Sequence, residues 1–202
     1  MKKIVILISG RGSNMEALIA ARDAGQLPVD IAAVISNRPD AMGLETAARA
    51  GITAHFIDHK AFAGREAFDA ALAECIDSFA PDLVVLAGFM RILKGEFLRV
   101  FANRVVNIHP SLLPAFPGLE SWKQALDYGV KFTGCTVHFV DQGVDTGPII
   151  AQQTVPVLTG DTAETLHQRI QQAEWELYPK AVGALARGAV RTQGRQTIWK
   201  EK

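Results

Sequence analysis

The chain has 202 residues, and 21 Lys plus Arg balance 21 Asp plus Glu, so one domain with a substantial core is expected and no charged face for nucleic acid or anionic lipid is indicated. Apolar runs such as Ile4 to Ile8 are far too short to span a bilayer, and Ser9-Gly10-Arg11-Gly12 ends the first one too early for a signal peptide. Cys75 and Cys135 lack any C-x-x-C spacing, so neither a disulfide framework nor a Cys-rich zinc site is called for; a soluble cytoplasmic protein is expected.

Lys3 to Ile8 reads as a short buried strand. Ser9-Gly10-Arg11-Gly12-Ser13-Asn14 follows, and then a helical pattern with Met15, Leu18 and Ile19 on one face. Strand, glycine turn and helix aim backbone N–H groups at an anion. The third glycine of a dinucleotide fingerprint is missing, and so is the Gly-Lys-Ser/Thr of a P-loop. A single phosphate on Gly12, Ser13 and Asn14 fits better, the alternative being a turn that binds nothing. The alternation continues with a strand at Ile31 to Ile35, a helix at Gly43 to Ala50 and a strand at Ile52 to Ile57. A helix at Arg65 to Phe79 turns Phe68, Leu72, Cys75 and Ile76 inward, and Pro81 precedes a strand at Asp82 to Ala87 that is apolar enough to be buried on both faces. Repeated βαβ units imply a parallel sheet, whose ligands sit beyond the carboxyl ends of the strands. Gly88 to Leu93 leaves such an end, so it is a candidate pocket wall or an ordinary packing segment.

The central stretch is Asn107-Ile108-His109-Pro110-Ser111-Leu112-Leu113-Pro114, at the end of the Val105-Val106 strand. Asn107 and His109, two apart, project to one face, and Pro110 ends the ladder. An amide can donate to a developing oxyanion and an imidazole can move protons near neutral pH, which together suit chemistry at a carbonyl. Turn capping is the alternative role for both. Pro114 to Gly118 reads as a mobile flap and Trp122 to Tyr128 as a short helix. Phe132 to Val140 and Ile149 to Val157 read as antiparallel strands around the loop Asp141 to Pro148, in which Asp145 is the residue best placed to be a buried charge. Asp161-Thr162-Ala163-Glu164 is a capping-box signature, opening a long helix with Leu166, Ile170, Ala173, Leu177 and Ala181 inward and Pro179 as a kink. Val190 to Trp199 reads as a weak edge strand. His55 and His59 straddle a strand end and do not converge as a metal pair. His138 is either a core histidine or a pocket residue. Ser111 lies near His109, but there is no Gly-x-Ser-x-Gly elbow for a hydrolase.

Four motifs occur in order: Ser9-Gly10-x-Gly12-Ser13-Asn14, Leu86-Ala87-Gly88-Phe89-Met90-Arg91-Ile92-Leu93, Asn107-x-His109-Pro110-Ser111-Leu112-Leu113-Pro114, and Asp145-x-Gly147-Pro148. In this the chain resembles, from Ile4 to about Ala184, the phosphoribosylglycinamide formyltransferases, a branch of the 10-formyltetrahydrofolate-dependent formyltransferase family. Departures are Ala115 where a basic residue is common, Trp122 where His is common, and Cys135 where Thr is expected; none touches Asn107, His109 or Asp145.

The resemblance implies an α/β fold: a single domain over 1–202 with a mostly parallel, twisted, Rossmann-like sheet, helices on both faces and antiparallel C-terminal strands. It implies that Gly12, Ser13 and Asn14 hold the ribonucleotide phosphate, while Gln171, Gln172, Ala173 and Glu174 face the ribose and glycinamide. Arg65, Met90, Arg91, Ile92 and Leu93, with Asn107 and the loop Asp141, Gln142, Gly143, Val144 and Asp145, would enclose 10-formyltetrahydrofolate as co-substrate. It gives His109 the acid/base role, Asn107 the oxyanion role and Asp145 the task of favouring the charged imidazole. The partners implied are small molecules, with no metal, nucleic acid or membrane, and the chain is expected as a monomer or weak homodimer. A tRNA formyltransferase would want a further C-terminal domain and a basic surface, and a formyltetrahydrofolate hydrolase an N-terminal regulatory domain. A nucleotide-binding module using only the glycine loop would have no need of the Asn107, His109 and Asp145 set.

Overall fold

The sheet is built from strands that the apolar pattern already marks. A computed structural model describes residues 1–200. Its elements are β1 (Lys2–Ile8), α1 (Ser13–Asp23), β2 (Val29–Ser36), α2 (Met42–Arg49), β3 (Thr53–Phe56), α3 (Arg65–Asp77), β4 (Leu83–Leu86), α4 (Glu96–Val100), β5 (Val105–His109), α5 (Ser121–Tyr128), β6 (Phe132–Phe139), β7 (Ile149–Pro156), α6 (Ala163–Ala186), β8 (Val190–Gln193) and β9 (Gln196–Trp199), with a 3₁₀ turn at His59–Ala61. Seven strands form one mostly parallel sheet in the order β3-β2-β1-β4-β5-β6-β7, and β8 pairs with β9. The chain divides into two compact units, Met1–Val106 and Asn107–Lys202.

In the first unit β1 pairs in parallel with both β2 and β4, and β2 with β3. Ile4 to Ile8 of β1 and all of β4 are buried, as expected of strands covered on both faces. The chain moves outward from β1 in opposite directions, so the carboxyl ends of β1 and β4 flank the switch point where ligands bind in such sheets. Met15, Leu18 and Ile19 of α1 and Phe68, Leu72 and Ile76 of α3 are buried, as the helical spacing requires. Cys75, expected inward, is only half-buried. The five-residue α4 has no periodic signal in the sequence, because it is barely more than one turn.

In the second unit β6 and β7 are antiparallel and α6 packs on both. Leu166, Ile170, Ala173, Leu177 and Ala181 of α6 are all buried. This 24-residue helix carries Pro179 inside it, as expected, and runs on to Ala186. Its cap is displaced one residue from the expected box. Thr162 is the N-cap and exchanges hydrogen bonds with Thr165, while Asp161 holds Arg169 at 2.7 Å and 2.8 Å and accepts from Leu158 N–H. The arginine makes Asp161 more useful as an ion-pair partner than as a cap. The tail is a hairpin, not a single edge strand. Gly194 has φ 61°, the positive value that a two-residue hairpin loop needs at its first central position. Thr197 Oγ1 and Trp199 Nε1 donate to the carbonyls of Ile149 and Ile150, fastening the hairpin to β7.

Among the described residues, no helix is long and apolar enough to cross a membrane.

Candidate active site

The first unit gathers three loops around Ser9, just past the end of β1. Ser9 is buried; its hydroxyl donates to Asn37 Oδ1 (2.6 Å) and accepts from Met90 N–H (2.8 Å). Ser9 N–H also reaches the Gly88 carbonyl at 3.1 Å. One small side chain thus ties the turns after β1, β2 and β4 together. Gly12 caps α1 at φ 73°, a left-handed conformation that glycine adopts without steric cost. Ser13 and Asn14 open the helix, so its first N–H groups lie at the glycine turn. Gly43 of α2 lies against the same turn, with its N–H on the Gly10 carbonyl at 3.1 Å. A Cβ there would collide with Ile8 Cδ1 and lie 2.9 Å from the Arg11 carbonyl. This close packing carried no sequence signal beyond the glycine itself.

Of the residues expected to enclose folate in this unit, Met90 is 68% exposed and Ile92 42%, so both offer apolar surface to solvent. Leu93 is buried and Arg65 exposed. The Arg91 guanidinium lies over the Phe68 ring, 4.8 Å from its centroid. Asp69 lies buried nearby on α3; burial raises its carboxyl, against the pull of the Arg91 and Arg65 charges.

In the second unit the structure brings Asn107, His109 and Asp145 together with His138. His109 Nδ1 is 3.4 Å from Asp145 Oδ2, and these side chains are only 6% and 14% exposed. His109 Nε2 faces the Phe116 carbonyl at 2.9 Å. Both ring nitrogens therefore face oxygen acceptors. Asn107 Nδ2 lies 3.3 Å from His138 Nε2, and that same nitrogen is 3.8 Å from Asp145 Oδ1. His138 Nδ1 is 2.9 Å from the Phe139 carbonyl. Burial holds the His138 ring below the usual imidazole range, against smaller opposing effects from the Phe139 carbonyl and Asp145.

Asp145 reaches this position because its backbone is left-handed, at φ 54°. Such a conformation costs a non-glycine residue on the order of 1–3 kcal/mol and persists where the surroundings enforce it. Here Asp141 Oδ1 accepts from Gly143 N–H (3.0 Å) and Thr146 Oγ1 (2.6 Å), which closes the turn. Gly147 admits no side chain, since a Cβ would occupy the Phe139 carbonyl oxygen. Asp145 Oδ2 also accepts from Gly118 N–H at 2.8 Å.

The proline-rich segment expected as a mobile flap is fastened at several points. Ser111 Oγ donates to the Ala115 carbonyl (2.6 Å) and Gln124 Nε2 to those of Pro117 (3.1 Å) and Leu119 (2.8 Å). Thr136 Oγ1 donates to the Ser111 carbonyl and accepts from Leu113 N–H, pinning the start of the loop. The Ser111 hydroxyl thus holds a loop and is not poised as a nucleophile. Trp122 stacks on His167, with ring centroids 3.7 Å apart. Cys135 is fully buried, its thiol pushed up to about 12 by burial and then by Glu174. On α6, Ala173 and Glu174 are buried, Gln171 is half-buried and Gln172 exposed. His59 Nδ1 meets the Asn37 carbonyl at 2.9 Å and His55 stacks edge-on to Phe79, so each imidazole already has a local role.

A half-buried amide, two buried imidazoles and a half-buried carboxylate lie together near the ends of β5 and β6, a set of groups suited to chemistry at a carbonyl. The Formyl transferase family description matches residues 2–182, and the chain belongs to that family. The chain is 47% identical over 188 residues to phosphoribosylglycinamide formyltransferase of Escherichia coli, covering 93% of this chain and 89% of that protein. It is 51% identical over 189 residues to the trifunctional purine biosynthetic protein adenosine-3 of Drosophila melanogaster, covering 93% of this chain but spanning only 14% of that protein's length. The crystal structure of glycinamide ribonucleotide transformylase 1 from Symbiobacterium toebii matches with a TM-score of 0.98 at 52% identity, over 100% of this chain and 95% of that one.

Proposed function

We propose that this chain transfers the formyl group of 10-formyltetrahydrofolate to the amine of 5'-phosphoribosylglycinamide, a step of purine synthesis, and that its two units serve this reaction as one formyltransferase domain. The observation that carries the reading is the Asn107, His109, Asp145 cluster in a chain so similar to the Escherichia coli enzyme along its length.

The amine nitrogen attacks the formyl carbon, and the carbonyl pair becomes a tetrahedral oxyanion. Asn107 Nδ2–H and a His109 N–H are the donors for that oxygen, in surroundings where His109 is only 6% exposed and fixed dipoles act strongly. The attacking nitrogen then loses a proton, the folate N10 gains one, and the bond between the formyl carbon and N10 breaks. His109 gives its Nε2 proton to N10 and takes the amine proton in its place, and Asp145 stabilises the charged ring that makes the donation. To bind an oxyanion, His109 Nε2 exchanges its Phe116 carbonyl partner for substrate.

Binding roles follow the same reading. The turn Gly12, Ser13 and Asn14 takes the phosphate at the start of α1, and Gln171, Gln172, Ala173 and Glu174 serve the ribose and glycinamide. Exposed Met90 and Ile92, together with Arg65, Arg91, Leu93 and the loop 141–145, serve the folate. Expected absorbance change on formyl transfer, with purified protein and both substrates, tests the proposal. Transfer that occurs to water in place of glycinamide ribonucleotide would replace it with a hydrolase reading.

A further inference from the structure

His138 belongs to none of the binding or catalytic roles above, yet it is 2% exposed and touches Asn107 directly. Its protonation pattern can be worked out from its neighbours. Nδ1 lies 2.9 Å from the Phe139 carbonyl oxygen, which is an acceptor only, so Nδ1 carries a hydrogen. Burial disfavours a second proton on this ring. A neutral ring protonated at Nδ1 leaves Nε2 as a bare acceptor. The 3.8 Å from Nε2 to Asp145 Oδ1 agrees, being too long for a hydrogen bond and joining two acceptors.

An acceptor at Nε2 decides which end of the Asn107 amide faces it. The NH₂ end, 3.3 Å away, donates to the lone pair. The carbonyl end in its place would set two lone pairs against each other in a buried setting, leaving both acceptors without a donor. One Nδ2 hydrogen is therefore occupied by His138, and the other is the one free to meet a developing oxyanion. Relying on the reading of Asn107 as the oxyanion donor, we infer that His138, locked as the Nδ1–H tautomer by the Phe139 carbonyl, is a positioning residue that fixes the flip of the Asn107 amide.

The test is a double-mutant cycle. Asn107→Ala should lower kcat by about 10²–10³, as loss of one oxyanion donor does. His138→Leu should lower kcat on the order of 10²-fold through misplacement of that donor, with both KM values nearly unchanged. His138→Gln, whose amide oxygen can lie where Nε2 does, should recover most of the activity. In the Asn107→Ala background, His138→Leu should cost nothing further, because its effect runs through Asn107. Melting curves of all variants separate this from a folding defect. Long-range ¹H–¹⁵N spectra of the unmodified protein supply a readout independent of turnover, with the Nδ1–H tautomer expected at His138. The Nε2–H tautomer, or equal losses from His138→Leu with and without Asn107, would overturn the inference. Failure of Asn107→Ala to affect kcat would instead overturn the functional reading on which it rests.

Discussion

Replacing Asp145 by Asn removes one charge while keeping the shape that accepts the Gly118 N–H at 2.8 Å. The carboxylate oxygen lies 3.4 Å from His109 Nδ1, with 6% and 14% of the two side chains exposed. At an effective dielectric of about 20, unit charges at that distance attract by roughly 5 kcal/mol. Each 1.36 kcal/mol is tenfold, so roughly 5 kcal/mol sets a ceiling between three and four decades. The desolvation already imposed on both groups brings the net effect below it. A positioned acid/base contributes on the order of 10²–10⁴ in rate, which is the same range. Asp145→Asn should therefore lower kcat by about 10²–10⁴ with both KM values held within a few-fold. Steady-state kinetics, with each substrate varied in turn, measures this alongside a thermal melt of the variant. A variant that melts like the parent and turns over like it would refute the reasoning, leaving Asp145 as a turn residue only.

Gly12→Val places a β-branched residue at φ 73°, with its Cβ 3.3 Å from Ile8 Cγ2, so the KM for glycinamide ribonucleotide should rise far more than that for folate; equal rises would mean that the turn only shapes the fold. Gly43→Ala, whose methyl would lie 2.9 Å from the Arg11 carbonyl and against Ile8, should destabilise the protein by about 1–3 kcal/mol in urea titration; an unchanged midpoint contradicts the packing. Asp161→Asn should lower the melting temperature at pH 7. The Arg169 hydrogen bonds hold the Asp161 carboxyl well below its unfolded value of about 4, so its contribution is full above that pH and is lost on further acidification. The gap between variant and parent should accordingly narrow below pH 4, and a gap that widens there would contradict the assignment.

The alternation of apolar strands with helical stripes was enough to read the sheet, because strands such as β1 and β4 are buried on both faces and carry little else. Asn107 and His109 were legible for the same local reason: two residues apart on a strand that a proline ends. Asp145 stood out between glycines that the turn needs. His138 was not, since alternation in β6 says that it shares a face with Thr136 without saying what that face meets. Ser9 was visible only as part of a glycine motif, because its partners Asn37 and Met90 are 28 and 81 residues away. The terminal hairpin could have been read from Gly194 between two alternating runs, whereas its side-chain bonds to Ile149 and Ile150 could not. The cap of α6 was misplaced by one residue because Asp161 and Thr162 are both good capping residues, and only the position of Arg169 decides between them.

The most direct test of the account is a single assay of formyl transfer from 10-formyltetrahydrofolate to glycinamide ribonucleotide, comparing the parent with His109→Ala. The account predicts turnover by the parent and a loss of about 10²–10⁴ in kcat for the variant, with product formation depending on both substrates. A parent that binds both substrates without transferring the group, or a folded His109→Ala that transfers it at the parent rate, would contradict it.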